Sequence, residues 1–242
     1  MRILSLLPAA TQTLEVLGLH SALVDGSPDG AKPDLVFAPP EEDFSAPSHV
    51  PMRNPRAIAD IFANIQTIGE ATHTSAQAAA LVQAMRNHLD AIQNQLAKAA
   101  HRPWLSALNG LNPPRSSGMW VPEQIALAGG QPALGLAGLP AQDMEWDDVI
   151  HSQPEMIVVM PCGATLAQAA EQIRANAHRA EWDEFPATHL NQIYAVDSAY
   201  FCVPGPRVIQ GVEILAGLLH PHLCRHPLEI EARRLTLDVK YR

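Results

Sequence analysis

The feature that most constrains the fold is a long amphipathic stretch, Thr74–Ala100. Its apolar residues recur every three or four positions, which predicts a continuous helix with one buried stripe. The residues of this stripe are Ala78, Leu81, Val82, Met85, Leu89, Ile92 and Leu96. A helix over the whole stretch would be about 40 Å long, longer than a small lobe is wide. We therefore expect one uninterrupted helix across Ala76–Leu96 that links two lobes.

Strand and helix patterns alternate on both sides of this stretch. Arg2–Leu7 is predicted to be a buried strand, and a helix that opens at Ala10 or Thr11 follows it. Later strands are predicted at Trp104–Leu108, Met156–Met160 and Ile193–Val196, with helices between and after them. Such alternation is typical of parallel sheets with helical crossovers. The fold class expected is therefore α/β, with two small lobes and one long connecting helix.

The remaining segments divide the chain into regions. Loops are predicted for the Gly- and Pro-rich segments Gly26–Pro33, Pro39–Pro55 and Asn109–Gly118. The regions are then an amino-terminal lobe over residues 1–73, a linking helix over 74–101, a carboxyl-terminal lobe over 102–221 and a polar tail over 222–242 that wraps the surface or frays.

Composition excludes several classes of partner. The chain has 242 residues, 47% of them hydrophobic, and a formal net charge of -9. No run of Lys and Arg exceeds a pair, so neither nucleic acid nor an anionic membrane surface is an expected partner. No apolar run approaches the ~18 residues that a membrane-spanning helix needs. Cys162, Cys202 and Cys224 are widely spaced and predict neither a disulfide framework nor a zinc site.

The sequence at the amino terminus gives an expectation for the cellular compartment. Met1 and Arg2 lead directly into the first predicted strand, so removal of a leader of ~15–30 residues would delete that strand. We therefore expect a cytoplasmic protein, with a periplasmic one as the alternative if a leader was removed or the start is misassigned. Three cysteines without an obvious pairing agree with a reducing compartment.

The strongest binding candidate is the segment Tyr194–Arg207. It runs from a strand through the adjacent aromatics Tyr200 and Phe201 to a Pro-Gly-Pro helix start. Loops at the carboxyl ends of strands are where α/β folds bind ligands. We expect Tyr200 to face a ligand and Phe201 to be the core member of the pair. Arg207 lies at the start of the helix, where a positive charge interacts unfavourably with the helix dipole. This cost predicts that Arg207 pairs with a carboxylate or with the ligand.

Two further segments are binding candidates. Pro8, Ala9, Ala10 and Thr11 lie at a predicted helix start, where backbone N–H groups either meet a polar ligand group or form an ordinary N-cap. The segment after the strand Trp104–Leu108 contributes a predicted cleft wall with polar backbone and flat apolar surface. Its candidate residues are Asn112, Pro113, Arg115, Ser117 and Trp120. Arg115 either pairs with an anionic ligand group or is a solvated loop arginine.

Catalysis and metal binding have little support. The chain contains no G-x-S-x-G, P-loop, dinucleotide-binding or H-E-x-x-H motif, so we expect no enzyme and no catalytic residue. Cys162 follows a predicted buried strand, so we expect an inert packed thiol rather than a metal ligand. The alternating set His220, His222, Cys224 and His226 is interpreted as incidental because Pro221 and Pro227 interrupt strand pairing. No metal site and no required cofactor are expected.

Short motifs over most of the chain resemble one family. They are Leu6–Thr11, Ile68–Thr72, Asn112–Pro114 with Ser117-Gly118, Trp120–Glu123 with Leu127–Gly130, Pro154–Gly163, Val196-Asp197 with Tyr200-Phe201 and Pro204–Arg207, and Glu213–Pro221. They resemble the class III substrate-binding proteins of ABC importers, in the group that binds cobalamin and iron-siderophores, and order and spacing both agree from about Pro103 to Pro221. The match is best to the cobalamin-binding branch.

This resemblance implies a specific function. It implies two α/β lobes joined by a rigid helix, with a corrinoid such as cobalamin, or a related metal chelate, held between them, and an importer permease as a partner. Between Asp29 and Pro33 the family usually has a further strand–helix segment, so a shortened amino-terminal lobe is expected. The alternative is a cytoplasmic interaction or regulatory module that kept the fold and lost most small-molecule affinity.

Overall fold

The computed structural model describes residues 1–24, 33–39 and 48–237. These separate into two compact units, one of Met1–Asn87 with Val203–Pro206 and the other of His88–Cys202 with Arg207–Arg242. The loop predicted over Gly26–Pro33, and with it the shortening of the amino-terminal lobe, lies outside the described residues apart from Pro33. The predicted α/β class with parallel sheets is confirmed.

The first unit contains a three-stranded parallel sheet in the order β1-β2-β3. The strands are β1 (Ile3–Ser5), β2 (Leu35–Ala38) and β3 (His49–Pro51). The position of β3 corrects the prediction of a loop over Pro39–Pro55. This strand has only three residues and ends in proline, so its own pattern does not mark a strand, and pairing with the buried β2 forms it.

Two helices complete the first unit. The first helix, α1 (Pro8–Val16), begins earlier than predicted, because proline in the first turn has no N–H to lose. The second helix is α2 (Ile58–Ala71). A side chain at Gly69 would collide with Ala78, so this glycine permits close helix packing rather than ending the helix.

The long helix α3 spans Ser75–Leu96 without interruption. This confirms the prediction of one helix across Ala76–Leu96, although α3 ends four residues before the predicted Ala100. Its buried residues Ala78, Val82, Met85 and Ile92 belong to the predicted stripe. The boundary between the two units falls within α3, after Asn87.

The second unit is built on a six-stranded sheet. Its main order is β5-β4-β7-β8-β9, and β6 pairs with β4. The strands are β4 (Trp104–Leu111), β5 (Pro114–Ser116), β6 (Gln131–Pro132), β7 (Met156–Val159), β8 (Ile193–Val196) and β9 (Ala232–Arg234). Strands β4, β6, β7 and β8 are parallel to one another, whereas β5 pairs antiparallel with β4 and β9 pairs antiparallel with β8.

Five helices accompany this sheet: α4 (Val121–Leu127), α5 (Trp146–His151), α6 (Leu166–Asn176), α7 (Pro186–His189) and α8 (Val208–Leu219). Trp146, Trp182 and Phe185 form an aromatic cluster in the core beside α6, with Trp146 and Trp182 ring centroids 5.5 Å apart. Among the described residues, no helix combines the length and apolarity needed to cross a bilayer.

The described part of the predicted polar tail, residues 222–237, contains the strand β9 and an ion-pair network. Residues of β9 pair with β8, and Arg225 binds both Glu213 and Glu231, at 3.1 Å and 3.0 Å. Burial raises the pKa of the Glu231 carboxyl, but hydrogen bonds from Arg225 and Leu228 outweigh it and leave that pKa below its ordinary value. Ion pairs therefore attach this segment to α8. The polar composition of the segment did not predict this attachment.

Candidate functional site

A small cavity lies where the parallel strands of the second unit end. Its volume is about 100 Å³. Met160 follows β7 directly, and Phe201 lies in the loop after β8, so both strands deliver residues to it from their carboxyl ends. Ser117, Met119 and Trp120 line the side formed by the segment between β5 and α4. This is the edge at which parallel α/β sheets bind ligands.

A disulfide joins the two strand-end loops at this cavity. Cys162 and Cys202 are bonded, with their Cα atoms 5.5 Å apart, and both line the cavity. This corrects the prediction that the cysteines have no pairing and that Cys162 is an inert packed thiol. The two are 40 residues apart in sequence, but β7 and β8 are neighbours in the sheet, so the loops that follow them meet.

The two adjacent aromatics occupy different positions. Phe201 is fully buried and lines the cavity, whereas Tyr200 is 8% exposed and is not among the lining residues. The guanidinium of Arg207 lies 4.3 Å from the Tyr200 ring centroid, a cation–π distance. Arg207 thus contacts an aromatic ring, and its charge also contributes to lowering the pKa of the Glu231 carboxyl.

Arg115 and the residues before it form a β-hairpin. The strands β4 and β5 pair across Asn112 and Pro113, both exposed at the tip, so the predicted loop Asn109–Gly118 is mostly sheet. Arg115 donates to the Asp143 carboxylate at 2.6 Å and to the Ala141 carbonyl at 3.1 Å. The guanidinium therefore has two protein partners, which neither sequence interpretation of this residue named.

Ser117 and Trp120 carry polar atoms that the fold leaves unsatisfied. The two residues are 2% and 7% exposed, and both line the cavity. Within the described part of the chain, neither the Ser117 hydroxyl nor the Trp120 indole nitrogen has a hydrogen-bond partner. Buried polar groups are rarely left in this state.

Gln124 is a site-supporting residue that the sequence did not indicate. Its side chain is fully buried, and its amide nitrogen donates to the carbonyls of Tyr200 at 3.1 Å and Val208 at 2.8 Å. It therefore ties α4 to the aromatic loop and to the start of α8. Gly211 on α8 lies against the same amide, and any side chain there would collide with it. The sequence cannot distinguish a buried glutamine in a helix from an exposed one, so it did not single out Gln124.

Replacing Gln124 with Leu is expected to lower the free energy of unfolding by about 1–3 kcal/mol, because the Tyr200 and Val208 carbonyls lose a buried donor. Urea denaturation of purified protein measures this change. The exposed helical position Gln95→Leu is the matched control and is expected to change stability by less than about 0.5 kcal/mol. Wild-type stability in Gln124→Leu would contradict a positioning role for this side chain.

The four amino-terminal candidates lie in the first unit, at the start of α1. Leu7 is the N-cap residue and makes no side-chain hydrogen bond, so the ordinary polar N-cap is not formed. The Thr11 hydroxyl is 2.9 Å from the Ser5 hydroxyl and 3.2 Å from the Leu7 carbonyl, within its own unit. Pro8 is exposed and Ala10 is buried. These residues remain binding candidates only by their position.

The histidine and cysteine cluster near the carboxyl end does not assemble. His220 is buried, and its Nε2 atom lies 3.1 Å from the Gly129 carbonyl oxygen. Cys224 is buried and unbonded, and burial together with the Glu213 carboxylate raises the pKa of its thiol. Among the described residues, no group of three or more His, Cys, Asp and Glu side chains is arranged to hold a metal ion.

Comparison with known proteins identifies the family. The sequence profile of a family described as periplasmic binding protein matches residues 30–200, more than half of the chain. The chain belongs to this periplasmic binding protein family. The resemblance noted in the sequence motifs is thereby confirmed, and the family and its solved members are binding proteins. No curated protein matches the sequence.

Solved structures share the fold at low sequence identity. The periplasmic heme-binding protein RhuT from Roseiflexus sp. RS-1 superposes with a TM-score of 0.75 at 20% identity, covering 91% of this chain and 98% of that one. The vitamin B12-binding protein BtuF of Vibrio cholerae gives 0.70 at 22% identity, covering 90% and 96%. A Fe3+-hydroxamate transport protein from Saccharomonospora viridis DSM 43017 gives 0.71 at 15%, covering 90% and 93%.

Proposed function

We propose that this chain is the substrate-binding protein of an ABC importer and holds a corrinoid or a related metal chelate. The observation that carries the proposal is an aromatic-walled cavity at the carboxyl edge of the second unit's sheet. Family membership and the ligands named for similar structures, heme, vitamin B12 and Fe3+-hydroxamate, support the same ligand class. An importer permease is the partner that this role requires.

The chemistry of the cavity suits an uncharged, mostly apolar part of a ligand. Trp120 and Phe201 bring flat aromatic area that loses little rotamer freedom on binding. None of the described residues that line the cavity is charged. Binding by packing over a wide surface, with few polar contacts, is typical of small-molecule sites. Among the described residues that line the cavity, no nucleophile has a titratable base beside it.

The disulfide supports an oxidising compartment. Disulfides persist in the periplasm and outside cells, and they are rare where glutathione and thioredoxin keep thiols reduced. We therefore place the protein outside the cytoplasm, against the expectation drawn from its amino terminus. Fractionation of native cells with thiol labelling tests this. A cytoplasmic protein with free Cys162 and Cys202 would restore the earlier expectation.

The ligand class is tested by titrating the purified protein with cyanocobalamin, cobinamide, hemin and a ferric hydroxamate and by following heat or absorbance. Binding of one of these chelates is the expected result. If none binds, the alternative of an interaction or regulatory module with little small-molecule affinity replaces this proposal.

The variants Trp120→Ala and Tyr200→Ala are each expected to weaken binding by about 1–3 kcal/mol, because each removes aromatic surface at or beside the cavity. Calorimetry with the chelate that binds the wild type measures the change. Trp104→Ala is the matched control, because Trp104 is 44% exposed at the start of β4 and does not line the cavity. Unchanged affinity in both variants would remove Trp120 and Tyr200 from the site.

A further inference from the structure

The two halves of the disulfide at the cavity differ in their access to solvent. Cys162 is exposed, whereas Cys202 is half-buried. Both line the cavity, but Cys162 also lines a separate open groove of about 440 Å³ between the loop after β7 and α6. Cys202 is not among the residues that line this groove. A reagent that approaches through the groove therefore meets Cys162 and not Cys202.

Access to one half is enough for chemistry at the bond. In thiol–disulfide exchange a thiolate attacks one sulfur and the other sulfur leaves, so only the attacked cysteine has to be reachable. A disulfide enclosed in the core would have to wait for unfolding, whereas exposed disulfides are the labile ones. The exposure of Cys162 therefore allows exchange while the protein is folded.

Other contacts hold the two strand-end loops when the bond opens. The Ser198 hydroxyl, in the loop after β8, donates to the Ala164 carbonyl, in the loop after β7, at 2.7 Å. The Cys162 N–H donates to the Asn109 carboxamide oxygen at 2.7 Å. The Cys202 N–H donates to the Ser198 carbonyl, also at 2.7 Å. None of these hydrogen bonds uses a sulfur atom, so the bond can open without the unfolding of the second unit.

We infer that the Cys162–Cys202 bond is a site of thiol–disulfide exchange in the folded protein, and that Cys162 is the sulfur that an external dithiol attacks. The external thiolate bonds to the Cys162 sulfur, the S–S bond breaks, and Cys202 leaves as a thiolate that takes up a proton. The second thiol of the dithiol then attacks the external sulfur of this mixed disulfide and releases Cys162. The dithiol is oxidised to a disulfide by two electrons, and the protein gains two thiols.

Exchange is expected to alter ligand binding, and this part of the inference rests on the proposed function. Both cysteines line the cavity, so reduction replaces a crosslinked wall by two thiols on separate loops. We expect the reduced protein to bind the metal chelate several-fold more weakly. By linkage, the bound chelate shifts the equilibrium with the dithiol towards the disulfide by the same factor.

The first test uses the wild-type protein without ligand. The folded protein is treated with dithiothreitol, free thiols are blocked with N-ethylmaleimide, and the labelled cysteines are identified by peptide mass spectrometry. Cys162 and Cys202 are expected to be labelled, while Cys224, which is buried and unbonded, stays unlabelled and reports unfolding in the same molecule. Labelling of all three together, or labelling of the pair only in urea, would overturn exchange in the folded state.

The second test assigns the attacked sulfur with the matched variants Cys202→Ser and Cys162→Ser. Each leaves one thiol of the pair free, and oxidised glutathione converts that thiol to a mixed disulfide of the kind that exchange passes through. Cys162 is expected to react several-fold faster than Cys202. Equal rates, or faster reaction of Cys202, would overturn the assignment.

The outcomes separate this inference from the proposed function. Neither of the two tests needs a ligand, so a protein that passes both and binds no metal chelate would refute only the proposed function. If a chelate binds, its affinity is compared by calorimetry before and after reduction. Equal affinity in the two states would overturn the link between exchange and ligand binding.

Discussion

Replacement of Cys162 or Cys202 by Ser is expected to lower the free energy of unfolding by about 4 kcal/mol. The bond closes a chain segment with a sequence separation of 40, and releasing it returns that loop's entropy to the unfolded state. Urea denaturation of each variant measures the loss. Wild-type protein treated with dithiothreitol should show a loss of the same size, because reduction opens the same loop.

The matched control is Cys224→Ser. This third cysteine is buried and unbonded, so its replacement changes packing but crosslinks nothing and should cost clearly less. If all three serine variants were equally stable, or if reduction left the wild type unchanged, the crosslink would have no role in stability. The two bonded cysteines also line the cavity, so we expect the serine variants to bind ligand more weakly.

Replacement of Phe201 by Ala is expected to cost about 3–5 kcal/mol of unfolding free energy, because a fully buried aromatic ring is removed and its space is filled poorly. Thermal and urea denaturation measure the loss. Leu190→Ala serves as the control, because Leu190 is 56% exposed and its replacement should change stability by less than about 0.5 kcal/mol.

The same variant also distinguishes two roles for this loop. Phe201 lines the cavity, so its truncation enlarges the space beside Ser117 and Trp120. If Phe201 only packed the core, Phe201→Leu would restore most of the stability, and the ligand affinity would be unchanged. A stable Phe201→Ala variant would contradict the buried placement itself.

Long periodic segments were predicted well from the sequence. The helix α3 is unbroken over Ala76–Leu96, β8 (Ile193–Val196) has the predicted bounds, and α8 begins after the predicted Pro-Gly-Pro start. In these elements the core-facing residues recur at the spacing that a helix or a strand imposes. The local pattern and the tertiary packing therefore require the same structure.

Short elements were not predicted, for a physical reason. The strands β3, β6 and β9 have two or three residues each, too few for an alternating pattern. Each forms because a neighbouring strand offers unpaired backbone N–H and C=O groups. Pairing through the backbone does not require particular side chains, so the sequence does not reveal it. The end of β4 and the three-residue β5 were predicted to be a loop for the same reason, although Trp104–Leu108 was predicted to be a strand.

For the candidate site, too, some features could be predicted from the sequence and others could not. The motif order indicated the family, and the position of Tyr200 and Phe201 after a strand indicated the edge of the sheet at which a cavity is found. Which aromatic lines it, which cysteines pair and which glutamine supports the loop depend on contacts between residues that are 40 to 84 positions apart. The periodicity of each helix and strand follows from local sequence, because each residue's environment repeats along one element. Pairings across the sheet are decided only when the strands and helices have packed, because only then do distant loops become neighbours.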